Sequence, residues 1–91
     1  MAGALLAPFI IVVIYFLIKP LPTEVPPDDI HFESGVELHK GGLLNLAISE
    51  YDKAIELNRY NLLAHQKRGD AYFAKGDLGH AMVDYNEAIS L

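Results

Sequence analysis

The architecture follows from a segment that occurs twice: AISEYDKAIEL at residues 47–57 and AMVDYNEAISL at residues 81–91. The two copies lie 34 positions apart, and nine of the thirty positions that pair residues 28–57 with residues 62–91 are identical. Within each copy, apolar and small residues recur at intervals of three and four, the spacing of one face of an α-helix. The chain therefore contains an internal repeat built from helices.

The sequence of each repeat unit predicts two helices joined by a turn. Gly42 and Gly76 follow the first helix of their units, where glycine permits the backbone to turn. Gly35 and Gly69 are also paired by the repeat, and their small size lets two helices approach closely. This pattern predicts an all-α fold.

The pattern G-x-x-x-x-x-x-G followed by A-x-x-x-Y-x-x-A, on this period, resembles the tetratricopeptide repeat. AISEYDKAIELNRYN and AMVDYNEAIS are similar to the second helix of that family. The resemblance implies an α-solenoid with one repeat at residues 28–61 and an incomplete one, without a capping helix, at residues 62–91. Arg59 departs from the pattern, since the family usually has proline there, and His31 and His65 stand at its aromatic position.

The N-terminal segment has a different composition. Residues 1–18 carry no charged side chain, and a helix of that length spans roughly 27 Å, about the thickness of the hydrocarbon core of a bilayer. We expect a single transmembrane helix at residues 1–19 that contacts the lipid bilayer. The segment lacks the basic start of a cleaved signal peptide. It also lacks the polar face that a helix packed in a globular protein shows to water. Lys19 favours a cytoplasmic, or equivalent, location for the repeats.

A proline-rich linker is expected between the two parts. Residues 20–27 contain four prolines, which disfavour helix and favour an extended polyproline II spacer. Asp28 or Asp29 is then expected to cap the next helix, because carboxylates stabilise the positive end of a helix.

Composition excludes several classes of function. The net charge is −5, with twelve acidic and seven basic residues and no basic stripe, so nucleic acid is not an expected partner. The chain has no cysteine, no HExxH motif and no nucleophile elbow. His31 and His65 share one repeat position, which indicates a packing role. We expect no enzymatic activity, no cofactor and no metal.

The resemblance implies that the first helices of successive repeats line a groove for a peptide or a partner helix. The groove candidates carried over by position are Phe32, Val36, His39, Gln66, Asp70 and Phe73. Some tetratricopeptide domains grip the C-terminal carboxylate of chaperones with a lysine and an asparagine. Phe32 and Val36 occupy those places here, so that activity is not expected. Phe32 and Phe73 can equally be core residues.

The last helix is expected to leave an apolar surface uncovered, because such repeats bury their faces against neighbours. The candidates on this terminal face are Met82, Tyr85, Ile89 and Leu91. A second copy, another subunit or a C-terminal continuation could cover it.

Two functions fit these features. The first is an accessory or assembly subunit that docks on a larger membrane protein complex. The second is a membrane-tethered receptor or adaptor that binds soluble client proteins or peptides through the groove. Two repeats form a shallow groove, which favours the first.

Overall fold

A computed structural model describes residues 2–18 and 25–91, and every regular element in those ranges is an α-helix. The helices are α1 (Ala2–Ile18), α2 (Pro27–Lys40), α3 (Leu44–Leu57), α4 (Leu62–Ala74) and α5 (Leu78–Ser90). The prediction of an all-α fold is confirmed for this part of the chain.

The expected transmembrane anchor is not supported by the structure. The anchor was expected at residues 1–19, and α1 covers Ala2–Ile18. Among the helices of residues 2–18 and 25–91, none has both the length and the apolar character needed to cross a membrane. The side chains described in α1, those of residues 10–18, are all exposed.

Most of the expected linker, residues 20–24, lies outside the described residues. Its last residue, Pro27, is the first residue of α2, a position where the missing N–H of proline costs no hydrogen bond. The expectation that Asp28 or Asp29 caps this helix is wrong. Pro26 is the N-cap and forms no side-chain cap, and both aspartates lie in the first turn.

The four remaining helices form two antiparallel pairs. The helix α2 packs on α3, α4 packs on α5, and α3 packs on α4 to join the pairs. The helices α2 and α4 end in the same way. Leu43 N–H donates to the Leu38 carbonyl at 2.9 Å and Gly42 N–H donates to the His39 carbonyl at 3.0 Å, with Gly42 at φ +78°. These bonds satisfy carbonyls that the end of the helix leaves free.

The turn after α4 repeats this geometry. Asp77 N–H donates to the Tyr72 carbonyl and Gly76 N–H to the Phe73 carbonyl, both at 2.9 Å, and Gly76 has φ +84°. Asp77 then begins α5 as an N-cap whose side chain accepts from the His80 N–H at 3.2 Å. The internal sequence repeat is therefore also a repeat of backbone hydrogen bonds.

The core lies where α3 is enclosed by α2 and α4. Ala47, Ile48, Tyr51 and Ala71 are buried together, and Phe32, Val36, Leu38 and Tyr72 pack around them. The Tyr51 ring lies directly on the backbone of Gly35, where an added Cβ would stand only 2.5 Å from the ring atom Cε1. Gly35 therefore sets the spacing between α2 and α3.

Candidate protein-interaction surfaces

Arg68 of α4 holds three helices in a fixed arrangement. Its guanidinium donates from Nε and Nη2 to the two carboxylate oxygens of Asp84 on α5, at 2.9 and 2.6 Å, and from Nη1 to Asp52 on α3 at 2.7 Å. Asp84 is only 2 % exposed. The paired, two-pronged geometry is the one in which an arginine–carboxylate contact is strongest, and it fixes how the two repeats sit against each other.

Of the two histidines of the repeat, His31 links two helices and His65 links α4 to the loop before it. His31 Nδ1 lies 2.7 Å from Glu50 Oε2, which joins α2 to α3. The hydrogen bond with His31, followed by that with Lys53, lowers the pKa of Glu50. His65 is buried and its Nε2–H donates to the Arg59 carbonyl at 2.9 Å. Within residues 2–18 and 25–91, no group of three or more metal-binding side chains is clustered.

The six groove candidates divide between core, cleft and open surface. Phe32 is half-buried against the core, with its ring centroid 6.0 Å from that of Tyr51. Val36 and His39 line an open cleft of about 190 Å³ together with Lys40, Tyr51 and Lys67; we call these five residues the Tyr51 cleft. It lies where α2 and α4 approach each other.

The other three groove candidates lie in α4, outside the lining of the Tyr51 cleft. Asp70 accepts a hydrogen bond from the Tyr85 hydroxyl at 2.6 Å, and this bond raises the pKa of Tyr85 to about 12. Gln66 is exposed, and Phe73 is 61 % exposed and does not belong to the core.

Tyr51 and its repeat counterpart Tyr85 differ in the hydrogen bonding of their hydroxyl groups. The Tyr51 side chain is fully buried, and its hydroxyl has no hydrogen-bond partner among the described residues. Burial raises the pKa of Tyr51 to about 12, and the Asp70 carboxylate acts in the same direction. The Tyr51 hydroxyl is therefore a protonated, unused donor at neutral pH.

The terminal face is largely open. Met82 is 64 %, Ile89 84 % and Leu91 46 % exposed. Tyr85 is less exposed than these residues, because its side chain lies against α4 and its hydroxyl donates to Asp70. The residue of α3 that corresponds to Met82 is Ile48, which is 8 % exposed. The difference arises because α4 covers α3, and no described helix covers α5 in the same way.

A second, larger opening lies near the start of α2. It has a volume of about 430 Å³ and is lined by Pro26, Asp28, Asp29, Asn58, Tyr60, Asn61, Leu62 and Leu63. Asp28 accepts hydrogen bonds from the side-chain amides of Asn58 and Asn61, both at 3.1 Å. Its carboxylate therefore ties the first helix of one repeat to the loop that leads into the next.

Family models agree with this architecture. A model described as TPR repeat matches residues 35–76, and a model described as tetratricopeptide repeat matches residues 62–91. The chain carries tetratricopeptide repeats. The resemblance drawn from the sequence is confirmed on this point, and tetratricopeptide repeats are protein–protein interaction modules.

A curated relative also matches the repeat region. The chain is 33 % identical over 61 residues, or 67 % of its length, to an NADPH oxidase activator of Dictyostelium discoideum. The chain spans about a tenth of the length of that relative, since the match covers 10 % of it. No solved structure gives a significant match.

Sequence reasoning missed three residues of the Tyr51 cleft and the arginine that joins the tetratricopeptide repeats. Lys40, Tyr51 and Lys67 were not among the groove candidates, because those were carried over by position from the family. Arg68 aligns with Ser34 in the first repeat, so a search for recurring residues passes over it. The signal that could have identified Arg68 is its positive charge on a helix face that is otherwise expected to pack against neighbouring helices.

Proposed function

We propose that this chain is a non-enzymatic protein-interaction module that docks on a larger protein assembly as an accessory or assembly subunit. The observation that carries the proposal is the exposure of apolar residues on α5, one of which, Met82, corresponds to a residue that the first repeat buries. Met82 and Ile89 are 64 % and 84 % exposed, whereas Ile48 is 8 % exposed. Exposed apolar patches on a folded protein mark interaction sites.

The occupant to which we commit is a fixed, mostly apolar surface of another protein. An apolar residue gains roughly 25 cal/mol for each Å² that is removed from water, so Met82 and Ile89 can serve as anchors at the centre of such an interface. The relative is named an activator of an oxidase, and such a name describes a protein that acts on another protein. Its name supports the class of role and does not identify this chain's partner.

The absence of catalysis is part of the same proposal. The described groups with shifted pKa values include Glu50, Asp77 and Tyr85, and each is paired with a side chain that holds a helix or a turn in place. Pairing of this kind supports a structural role for them.

The assembly test uses the native source of the protein. After gentle detergent extraction, we expect the chain to migrate with one large complex on a native gel, at constant stoichiometry by quantitative mass spectrometry and through moderate salt. Replacing Met82 and Ile89 by Gln should release it, while Ser49→Gln, on the exposed side of α3, should not. Migration of the wild-type chain only as a free species would overturn the proposal.

The assignment of that assembly to a membrane, with the repeats on the cytoplasmic or equivalent side, is a further part of the proposal. It is supported by the uncharged sequence of residues 1–18 and by Lys19. Extraction of membranes with alkaline carbonate tests it. We expect the chain to stay in the pellet, and its recovery in the supernatant would exclude an integral anchor.

A second function, a receptor or adaptor for soluble clients, is favoured by the Tyr51 cleft, which lies between the first helices of the two repeats. In that case we expect several substoichiometric partners that dissociate with salt, in place of one constant complex.

A further inference from the structure

The loop between α3 and α4 turns its amide side chains inward. We call residues 57–63 the Tyr60 loop. Asn58 and Asn61 both donate their side-chain amides to Asp28 at 3.1 Å. The side-chain oxygen of Asn58 also accepts from the Tyr60 N–H at 3.1 Å, and that of Asn61 caps α4. The shape of the loop is therefore fixed by hydrogen bonds within the chain.

The apolar side chains of the same loop point outward and form a surface at one end of the helix bundle. Three of them, Tyr60, Leu62 and Leu63, line the opening of about 430 Å³ near the start of α2. Four side chains of the loop and one residue ahead of α2 are between 44 and 67 % exposed: Leu57, Tyr60, Leu62, Leu63 and Val25. An exposed apolar surface marks contact with a protein or with a membrane.

The tip of the loop carries residue types that suit the boundary between a bilayer and water. The guanidinium of Arg59 lies over the ring of Tyr60, 5.1 Å from its centroid. Tyrosine combines an apolar ring with a hydroxyl, and arginine combines an apolar stem with a charged head. Each can place its apolar part among lipid chains while its polar end stays among the headgroups.

The course of the chain separates this end of the bundle from the other. The far end also exposes apolar side chains, Leu43, Leu46, Phe73 and Leu78, so exposure alone does not identify a lipid contact. However, α2 begins beside the Tyr60 loop, and only the eight residues 19–26 separate it from the uncharged residues 1–18. Eight residues reach roughly 25 Å at the rise of polyproline II. The far end lies one helix length further away, roughly 20 Å for the 13 residues of α4.

The charges around the loop indicate which lipids it can meet. Asp28 and Asp29 line the opening beside it, and with Arg59 they leave a local excess of one negative charge. An anionic bilayer would repel this surface, whereas a zwitterionic one would not.

We propose that the Tyr60 loop lies in the interfacial layer of a zwitterionic bilayer, with Tyr60 and the leucines among the acyl chains and Arg59 at the lipid phosphates. This inference rests on the membrane assignment within the proposed function. It adds a second lipid contact, which fixes how the repeats face the bilayer. No residue of the terminal face takes part in it.

The test uses the full chain with a single tryptophan as a depth reporter, because the natural sequence has no tryptophan. Tyr60→Trp is reconstituted into phosphatidylcholine vesicles whose acyl chains carry bromine near their carbonyl ends. Bromine quenches tryptophan fluorescence only at close range. We expect Tyr60→Trp to lose most of its fluorescence relative to unbrominated vesicles, and to lose less when the bromines lie at the chain ends, since the interface is shallow.

The matched control is Phe73→Trp, an exposed aromatic position at the far end of α4. Its fluorescence should be the same in brominated and unbrominated vesicles. Equal quenching of the two reporters would show that the repeats have no fixed orientation and would overturn the inference.

A second pair of variants tests whether the leucines hold the loop in the lipid. Leu57→Gln with Leu63→Gln, in the Tyr60→Trp chain, should restore most of the lost fluorescence, because an amide is costly to place among acyl chains. Leu43→Gln with Leu46→Gln, at the far end, should restore none. Circular dichroism of every variant should match the wild-type chain, since all of these positions are exposed.

Carbonate extraction of the same vesicles separates failure of this inference from failure of the membrane assignment. If the chain stays in the pellet and Tyr60→Trp keeps its fluorescence, the loop does not touch lipid, and the proposed function stands. If the chain is recovered in the supernatant and Tyr60→Trp is not quenched, the membrane assignment and the inference both fail. If quenching is found and the chain migrates with no complex, the subunit role fails and the lipid contact stands.

Discussion

At the scale of single residues, Gly35 and Gly69 control how closely the two helices of each repeat approach. A Cβ at Gly69 would lie 2.9 Å from Cε1 of Tyr85, and one at Gly35 would lie 2.5 Å from Cε1 of Tyr51. Real side chains do not tolerate such distances, and the Tyr51 ring is fully buried. The glycine and the tyrosine therefore act as one packing unit in each repeat.

We expect Gly35→Ala to destabilise the chain by about 2 kcal/mol, the usual cost of overpacking a close-packed core. The matched control is Gly79→Ala in α5, where an added Cβ meets nothing closer than 3.9 Å. Because alanine favours helix over glycine, that control should gain about 0.5–1 kcal/mol. Urea denaturation followed by circular dichroism measures both, and a neutral Gly35→Ala would contradict the close packing of Tyr51 on Gly35.

The paired tyrosines also predict how stability depends on alkaline pH. The pKa of Tyr85 is raised to about 12 by the hydrogen bond to Asp70, and the pKa of Tyr51 is raised to about 12 first by burial. A raised pKa means that the folded state holds the proton more tightly than the unfolded state. This contribution to stability is complete below pH 10 and is lost as the pH rises towards 12.

Denaturation at a series of pH values should therefore show stability falling between pH 10 and 12. Tyr85→Phe should fall less steeply over the same interval, because one of the two shifted groups is gone. An identical slope in the variant and the wild-type chain would be inconsistent with the Tyr85–Asp70 hydrogen bond.

At the scale of helices, the arrangement of α3, α4 and α5 depends on Arg68. The salt bridges to Asp52 and Asp84 are 2.7 and 2.6 Å long, and the Asp84 side chain is only 3 % exposed. Removing one partner of a buried ion pair is costly because the other charge stays buried without compensation.

We expect Arg68→Met to lower the free energy of unfolding by about 3 kcal/mol, since it removes both hydrogen bonds that Arg68 donates to the buried Asp84 carboxylate. The double variant Arg68→Met with Asp84→Asn should recover part of that loss, because the amide carries no charge. Lys53→Met is a suitable control, since Lys53 forms a 3.1 Å pair with Glu50 at an exposed position. Thermal unfolding of these three variants, of Asp84→Asn alone and of the wild-type chain completes the comparison, and additive losses in the double variant would argue against coupling.

At the scale of the whole molecule, the two repeats are alike in backbone and unlike in environment. Ile48 of the first repeat is 8 % exposed, and its counterpart Met82 is 64 % exposed. The same type of helix face is therefore part of the core in one repeat and part of the surface in the other.

Polar substitution should separate these roles. Ile48→Gln should cost about 3 kcal/mol, because it places an amide in the core and removes buried apolar area. Met82→Gln should change stability by less than about 0.5 kcal/mol, as is usual for an exposed position. Chemical denaturation measures both changes. A large loss in Met82→Gln would mean that this residue already packs inside the folded chain.

Much of the fold could be predicted from the sequence because its signals are local or repeated. The helical spacing of apolar residues and the turn glycines Gly42 and Gly76 act within one turn of the chain. The nine identities at a separation of 34 residues place the two units. The transmembrane anchor was predicted from the length and uncharged composition of residues 1–18, and no helix of the described residues supports it.

The candidate site was less predictable. The groove candidates came from their positions in the family, and the structure places Phe32 half-buried against the core and leaves Phe73 exposed. Arg68 has no counterpart in the first repeat, and its two partners lie sixteen residues away on either side. Nothing in the spacing of these residues indicates that they meet.

The sequence by itself therefore determined the helices of the repeats, their turns, the repeat itself and the acidic net charge. Only the tertiary structure decided which side chains meet between helices: Arg68 with Asp52 and Asp84, and the Tyr51 hydroxyl with no acceptor beside the lysines of its cleft. The physical reason is one of range. Periodicity and turn geometry act over a few residues, whereas the pairing of charges depends on how neighbouring helices are placed in space.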